Sequence, residues 1–335
     1  MRKSLTLFLM IFSNYLMLAL QEQIVGQDYA VTALTRAVTL ALAGRRHRLQ
    51  PLAALLFVGP SGSGKMHAAK SLARVLLGHE RKLISVNCPQ LAQAADPLAN
   101  LGEQLMVGHW LANTTPPFWP VPFSIIVIEK IDKAPAAFRD YLAAAFDRGE
   151  LYTRGQLFSL HPTFIILTSD LTKKQTEQLI GRTIGFFREN ESEFEIPHQH
   201  ISALEEIDAL LGAYLVNHIN EIILFESLSE QKIVRLLEQQ LAEVEAFLAR
   251  FSIGLMIDET AETFLLKQSL EDLTHGMRQI WRAVRNYLEF PLADLLFSRR
   301  IAPGSTVLVK HEAPRSFLHF HLMVPRFASG QYHLR

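Results

Sequence analysis

Cysteine is nearly absent from this sequence, which has a single one, Cys88, among 335 residues. One thiol can form neither a disulfide within the chain nor a cysteine-based metal site. Because free cysteine is among the most frequently buried residues, we expect Cys88 to be an inert thiol at the end of the strand-like segment 83–88. The lack of disulfides is compatible with a reducing compartment, and we predict a cytoplasmic protein.

Net charge is also absent, because 33 Lys and Arg residues balance 33 Asp and Glu residues. A chain without a net field has no overall electrostatic attraction to polyanions. We therefore expect no nucleic-acid partner, and we interpret the basic group at residues 45–48 as a solvated loop.

A long uninterrupted apolar run is missing as well. Residues 4–20 are mostly apolar and follow two positive charges, as in a signal peptide, but no small-residue cleavage site follows them. As a membrane span the run is short, and Ser13 and Asn14 lie at its centre. Two interpretations stay open: a helix packed on the protein, or an anchor or uncleaved signal, which would be the protein's only route to a membrane.

What the sequence does contain is a phosphate-binding loop pattern at residues 59–66, Gly-Pro-Ser-Gly-Ser-Gly-Lys-Met. A buried-strand pattern precedes it at 52–58 and an amphipathic helix pattern follows it at 67–77, which is the setting that such a loop requires. The glycines let backbone N–H groups turn toward a phosphate, and Lys65 reaches the outer phosphates. The pattern therefore predicts that the chain binds ATP or ADP.

The last position of this loop departs from the pattern. Met66 stands where a Ser or Thr hydroxyl would bind Mg²⁺, and a thioether is too soft a ligand for that ion. This substitution argues against the usual Mg²⁺ site and against ordinary hydrolysis.

Apolar strand patterns alternate with helical patterns in the first two thirds of the chain. One strand pattern ends in Glu129, a helix pattern follows it, and a further strand pattern spans residues 163–170 and ends in Asp170. This alternation predicts an α/β fold with a parallel central sheet, in which ligands lie at the carboxyl ends of the strands.

From Ser229 onward the pattern becomes helical. Ser229 is a suitable N-cap for a helix that buries Ile233, Leu236, Leu237, Leu241, Val244 and Leu248. Further helices are predicted at about 259–270 and 276–298, and a closing strand within 301–310. The predicted domains are an apolar N-terminal helix (1–20), an α/β nucleotide-binding domain (21–225), a mainly helical lid domain (226–311) and a tail (312–335).

A series of motifs in order resembles one AAA+ module of the Clp unfoldase and disaggregase family, in particular the second ATPase module of ClpB. The motifs are Val25-Gly26-Gln27, the phosphate loop, Glu129-Lys130-Ile131-Asp132-Lys133-Ala134, segment 166–170, segment 217–225, Gly276-Met277-Arg278 and segment 285–293. The resemblance covers about residues 20–310. It implies an AAA+ αβα sandwich, a helical lid, and a ring-shaped oligomer with nucleotide between neighbouring subunits.

The resemblance implies that the nucleotide-binding positions are retained. Ile24 and Val25 would line the adenine pocket, and Arg278 falls at the lid arginine that senses the γ-phosphate. The other binding positions are those of the loop: Pro60, Ser61, Gly62, Ser63, Gly64, Lys65 and Met66.

The same resemblance implies that the catalytic positions are substituted. Glu129 replaces the metal-organising aspartate, as the one candidate metal ligand, and Lys130 stands at the glutamate that activates water. Asp170 replaces an amide that positions the γ-phosphate, and His218 replaces the arginine finger. A lysine cannot serve as the general base, whose loss alone costs roughly a hundredfold or more in rate. We therefore predict a degenerate, hydrolysis-impaired module.

The predicted function is that of a Clp-type, chaperone-related ATP-binding protein with a regulatory or structural role. It would associate with copies of itself or with an active Clp-type ATPase, and a polypeptide is the expected client class. Two alternatives stay open: a slow but active chaperone ATPase, and a scaffold that binds no nucleotide. The family's substrate-gripping loop aligns with residues 105–110, where Met106 takes the aromatic position and Trp110 offers another grip.

Overall fold

The structure is a computed structural model, and it describes residues 2–44, 50–93, 101, 123–153, 155–161, 163–170, 207–270, 277–325 and 332–334. The chain divides into two compact units, residues 1–227 and residues 228–335.

A five-stranded parallel sheet forms the centre of the first unit. Its strands are β1 (Ala53–Gly59), β2 (Leu83–Asn87), β3 (Ser124–Glu129), β6 (Thr163–Asp170) and β7 (Glu221–Leu224). Two further strands, β4 (Glu150–Thr153) and β5 (Gln156–Ser159), form a separate hairpin between β3 and β6 in the chain. The order across the sheet is β2-β3-β6-β1-β7. All seven residues of β1 are buried, as expected for a central strand covered on both faces. The predicted α/β fold with a parallel central sheet is confirmed.

Helices cover both faces of this sheet. They are α1 (Arg2–Gln23), α2 (Asp28–Leu42), α3 (Lys65–Leu77), α4 (Cys88–Gln93), α5 (Ala136–Arg148) and α6 (Ala213–Val216). Successive side chains of a strand point to opposite faces. Leu55 and Phe57 of β1 accordingly join an apolar cluster with α1, α2 and α3, whereas Leu56 and Val58 join a second cluster with α4 and α5. The first unit is therefore a three-layered αβα structure.

One face of α1 packs on the rest of the first unit. Phe12, Leu16 and Leu20 recur every four residues and are buried against α2 and α3. Leu7 and Ile11, on another side of the helix, are 60% and 61% exposed. Among the described residues, no helix is long and apolar enough to cross a membrane.

Four helices lie in the described part of the second unit. They are α7 (Glu230–Ala249), α8 (Glu259–Leu270), α9 (Met277–Val284) and α10 (Phe290–Phe297), and the π-helical turn Arg285–Glu289 joins α9 to α10. The predicted N-cap of α7 is confirmed, because the Ser229 hydroxyl accepts a hydrogen bond from the Lys232 N–H at 3.4 Å. The six residues predicted for the apolar face of α7 are all buried. The helix predicted at 276–298 is interrupted by the π turn.

A four-stranded sheet completes the second unit. Its strands are β8 (Gly254–Ile257), β9 (Thr306–His311), β10 (Leu318–Pro325) and β11 (Tyr332–Leu334), in the order β11-β10-β9-β8. The predicted closing strand corresponds to β9, and the predicted tail contributes β10 and β11 to this sheet. The expectation of a wholly helical pattern before that strand was wrong at β8, whose four residues are too few to give a clear alternation.

Candidate nucleotide-binding site

The loop between β1 and α3 begins with a glycine that no other residue can replace without strain. A Cβ added to Gly59 would lie 2.4 Å from the carbonyl oxygen of Phe225 and 2.9 Å from its Cβ. The two segments are held together because the Phe225 N–H donates to the Val58 carbonyl at 2.7 Å. The loop therefore leaves the sheet in direct contact with the chain that follows β7.

Two further glycines give the loop its curvature. Gly62 has φ 79° and Gly64 has φ 101°, which are left-handed conformations that favour glycine. Gly64 directly precedes α3, so the first N–H groups of that helix face the space enclosed by the loop. Among the described atoms, the buried Ser63 hydroxyl has no hydrogen-bond partner. N–H groups at a helix start and a hydroxyl without a described partner are the donors that a bound phosphate needs, so this cradle fits a nucleotide phosphate.

Lys65 is folded onto the loop and onto the neighbouring strand. Its ammonium donates to the carbonyls of Gly59 and Pro60 at 2.7 and 2.8 Å. It also forms an ion pair with Asp170, in which Nζ lies 2.8 Å from Oδ1. The side chain of Lys65 is 8% exposed and that of Asp170 is 27% exposed. The structure thus brings together the predicted phosphate-binding lysine and the predicted degenerate acid at the end of β6.

Asp170 is held in this place by its backbone. Its partner across the parallel pairing of β1 and β6 is Gly59, the first residue of the loop. Its N–H donates to the Asp132 Oδ1 at 3.3 Å, and the Asp132 side chain is only 3% exposed. The carboxylate of Asp170 therefore enters the site from a fixed point at the carboxyl edge of the sheet.

Gln27 is the site residue that the sequence analysis did not assign. Its side-chain amide donates to the Ser63 and Glu226 carbonyls, both at 2.9 Å, and its amide oxygen accepts from the Glu226 N–H at 3.0 Å. Gln27 is 4% exposed. It thus ties the start of α2, the phosphate loop and the segment after β7 together. Its position in the Val25-Gly26-Gln27 motif was the available signal.

The two residues predicted for the adenine pocket lie in the turn between α1 and α2. Ile24 is 4% exposed and belongs to the apolar cluster of α1, α2 and α3, whereas Val25 is half-buried. Ile24 therefore has a core-packing role in this structure, and its predicted adenine contact stays a prediction, as does that of Val25.

The side chains described around the loop do not form a set of ligands that fits Mg²⁺. Met66 is half-buried and packs against the apolar cluster of α3. Glu129, at the end of β3, accepts a hydrogen bond from the Ser85 hydroxyl at 2.5 Å. Mg²⁺ requires hard oxygen ligands in near-octahedral order, and no hydroxyl stands at position 66 to supply one. Among the described residues there is also no group of three or more His, Cys, Asp or Glu side chains that could hold a metal ion.

Lys130 adopts a backbone conformation that lysine rarely takes. It has φ 56° and ψ 54°, the left-handed region, and its N–H donates to the Thr168 hydroxyl at 3.0 Å. Such a conformation costs on the order of 1 to 3 kcal/mol in a non-glycine residue. The hydrogen bond to β6 therefore helps to hold Lys130 in place directly after Glu129, at the same sheet edge as Asp170.

Both ring nitrogens of His218 contact residues of the first unit. Its Nε2 lies 2.8 Å from the Asp147 Oδ1, and its Nδ1 lies 2.7 Å from the Tyr214 carbonyl oxygen. The hydrogen bond from His218 lowers the pKa of Asp147 below its ordinary value, against the opposing effect of desolvation. With both ring nitrogens occupied, this imidazole is oriented by its own chain.

The remaining predictions concern Arg278, residues 105–110 and Cys88. Arg278 lies on α9 of the second unit and is exposed. The predicted substrate-gripping loop at 105–110 lies outside the described residues. Cys88 is fully buried, as expected, but it begins α4 rather than ending a strand. Burial, with the negative charges of Asp132 and Glu129 nearby, raises the pKa of its thiol to about 12, which makes it inert.

Comparison with known proteins gives two family matches in succession along the chain. A family model described as an AAA domain (Cdc48 subfamily) matches residues 50–222, and one described as the C-terminal, D2-small domain of ClpB protein matches residues 228–309. These matches cover both units of the chain.

Several Clp proteins are similar to this chain. The chaperone protein ClpB of Aquifex aeolicus is 29% identical over 297 residues, which are 88% of this chain and 29% of that protein. The chloroplastic chaperone protein ClpD1 of Oryza sativa subsp. japonica is 26% identical over 306 residues, 90% of this chain and 32% of that protein. A ClpA homolog of Pyropia yezoensis, described as an ATP-dependent Clp protease ATP-binding subunit, is 27% identical over 87% of this chain and 36% of its own length. The chain spans about a third of the length of these relatives.

Proposed function

Because this chain belongs to the family of AAA domains of the Cdc48 subfamily, and a ClpB-type small domain follows that domain, we propose that it is a nucleotide-binding module with impaired hydrolysis. It serves as a regulatory or structural component of a Clp-type assembly. Its ligand is ATP or ADP, held by the loop between β1 and α3.

The observation that carries this proposal is the contrast between the two parts of one site. The loop has its left-handed glycines, the α3 N-terminus and the lysine that together bind a phosphate. The position that would bind Mg²⁺ carries Met66, which has no hydroxyl, and the position that would activate water carries Lys130, which has no carboxylate. Phosphate binding needs the first set of groups only, whereas hydrolysis needs both.

The chain's own residues account for what the site does with a nucleotide. The α3 N-terminus and the loop backbone bind the phosphates, and Lys65 adds a positive charge. Lys130 cannot remove a proton from water while it is an ammonium ion, so the attacking water has no base at that place. His218 is bound to Asp147 of its own chain and is not a free cation for a neighbour's nucleotide. An arginine in that role is worth about 10³-fold or more in phosphoryl-transfer enzymes.

Metal-independent binding follows from the same residues. Lys130, which carries an ammonium group on its side chain, directly follows Glu129 in the chain. In our proposal this charge partly replaces the charge that a bound metal ion would supply, so that nucleotide binds with or without Mg²⁺.

The assembly is proposed from the family. Clp-type proteins form oligomers and act on polypeptides, and the substitutions at the hydrolytic positions do not by themselves remove the rest of an oligomer surface. We propose that this module associates with copies of itself or with an active Clp-type ATPase, in the cytoplasm. Membrane association through the exposed side of α1 is the alternative location.

The test is to measure binding and turnover separately on the purified full chain. Calorimetric titration with ADP and ATP is expected to show saturable binding, both with Mg²⁺ and with EDTA, while a phosphate-release assay stays at background. Lys65→Ala is expected to abolish binding, and the control Lys70→Ala, an exposed lysine of the same helix, is expected to keep it.

Other results would point to the alternatives. Phosphate release that Lys65→Ala removes and Lys70→Ala preserves identifies a slow ATPase. Failure of millimolar ADP or ATP to raise the melting temperature identifies a scaffold that binds no nucleotide. Loss of binding on chelation refutes the role given to Lys130.

A further inference from the structure

We propose that Asp170 stands in for the terminal phosphate of a nucleoside triphosphate, so that this site selects a nucleoside diphosphate. The inference rests on the proposed function, since it concerns the ligand of the same loop. Its physical basis is that the Asp170 carboxylate is already paired with the Lys65 ammonium, which a third phosphate would need as its own partner.

The first step is the state of Lys65. An ammonium group has three N–H donors. Three acceptors surround this one at 2.7 to 2.8 Å: the carbonyls of Gly59 and Pro60 and the carboxylate of Asp170. A phosphate oxygen can bind Lys65 only by displacing one of them or by sharing its donor.

The second step is that Asp170 is the acceptor with a negative charge and with little freedom to leave. Its backbone is fixed opposite Gly59 by the pairing of β1 and β6, and its N–H is bound to the Asp132 carboxylate. Only the side-chain torsions of Asp170 can move the carboxylate away from the loop. The loop and the acid thus begin at paired residues of two neighbouring strands.

The third step compares the two ligands. The N–H groups at the start of α3 bind the β-phosphate of either nucleotide. The γ-phosphate of ATP lies farther out, where the loop lysine normally contacts it, and here it would meet the Asp170 carboxylate with Glu129 one strand away. Lys65 and Lys130 together balance these two negative charges and leave no positive charge for the γ-phosphate. ADP ends before this region, so it avoids the repulsion, and its β-phosphate can share a donor of Lys65 without breaking the Lys65–Asp170 pair.

The experiment compares ADP with ATP on the full chain by calorimetric titration in EDTA and again in Mg²⁺. For the unmodified protein we expect ADP to bind at least about tenfold more tightly than ATP. Asp170→Asn, which keeps the shape and removes the charge, is expected to reduce that ratio at least about tenfold, mainly by tightening ATP. Asp170→Glu keeps the charge and is expected to retain the preference for ADP. Asp140→Asn, an exposed acid on α5, is the control and is expected to change neither affinity.

The outcomes separate this inference from the proposed function. If both nucleotides bind the unmodified protein equally well, or if Asp170→Asn leaves their ratio unchanged, the inference is wrong while nucleotide binding stands. If neither nucleotide binds the unmodified protein or Asp170→Asn, the proposed function itself is wrong, and the inference falls with it.

Discussion

Gln27 connects three segments of the first unit through one buried side chain, and its replacement by alanine should be costly. The change removes two hydrogen bonds from its amide group and one to its amide oxygen, all between 2.9 and 3.0 Å. At about 1 kcal/mol for each bond, we expect Gln27→Ala to lower the free energy of unfolding of this unit by about 3 kcal/mol. The loss should be at least this large because the Ser63 carbonyl and both backbone groups of Glu226 are left without that partner. The assay is urea unfolding followed by far-UV circular dichroism.

A matched control and a second measurement make this prediction specific. Gln21→Ala removes an exposed glutamine from α1 and should change the free energy of unfolding by less than about 0.5 kcal/mol. Because Gln27 holds the phosphate loop, Gln27→Ala should also weaken ADP binding, and Gln21→Ala should not. A loss of less than 1 kcal/mol for Gln27→Ala, with ADP affinity unchanged, would refute the view that this side chain positions the loop.

Three further tests concern separate parts of the structure: Gly59, Ser229 and Cys88. Gly59→Ala places a Cβ 2.4 Å from the Phe225 carbonyl oxygen, so we expect a loss of several kcal/mol or failure to fold in a urea-unfolding experiment. In the control Gly44→Ala, the added Cβ meets none of the described non-neighbouring atoms within 4 Å. This control should cost only about 1 kcal/mol for its left-handed backbone. Ser229→Ala removes the cap of α7 and should cost about 1 kcal/mol in the same assay. Cys88 should be unreactive toward a thiol reagent at pH 8 in the native protein and should react promptly in urea, because its pKa of about 12 leaves almost no thiolate. Since folding raises this pKa, the contribution of Cys88 to the free energy of unfolding is present below the ordinary thiol pKa of about 8.5 and is lost as the pH rises toward 12. Rapid labelling of the native protein at pH 8 would contradict the burial of Cys88.

The parts of the fold that can be predicted from the sequence are those that depend on short-range patterns, such as apolar runs and helix caps. The buried runs ending in Glu129 and Asp170 appear as β3 and β6, and the cap at Ser229 begins α7 with the expected buried face. A four-residue strand such as β8 contains too few residues to show a period, so it was missed.

The parts of the site that the sequence could not predict depend on contacts between distant residues. Gln27 contacts Glu226, which lies 199 positions later in the chain. His218, in the segment after α6, contacts Asp147 on α5. Neither contact leaves a periodic signal. The resemblance identified Lys65 and Asp170 as separate positions with separate roles, and only the pairing of β1 with β6 places their charges 2.8 Å apart.

The ion pair of Lys65 and Asp170 has two effects. It stabilises the protein without nucleotide, and it opposes the binding of ATP. The ammonium of Lys65 is nearly buried, and a buried charge requires a counter-charge. In the protein free of nucleotide Asp170 supplies it, so Asp170→Asn should lower the free energy of unfolding by about 1 to 3 kcal/mol, less than for a fully buried pair because Asp170 is 27% exposed. The same substitution should strengthen ATP binding, because the γ-phosphate can then supply the counter-charge. Saturating ATP should therefore raise the melting temperature of Asp170→Asn more than that of the unmodified protein. A variant that loses no stability, or that ATP stabilises less than it does the unmodified protein, would show that the carboxylate and the phosphate do not compete for Lys65.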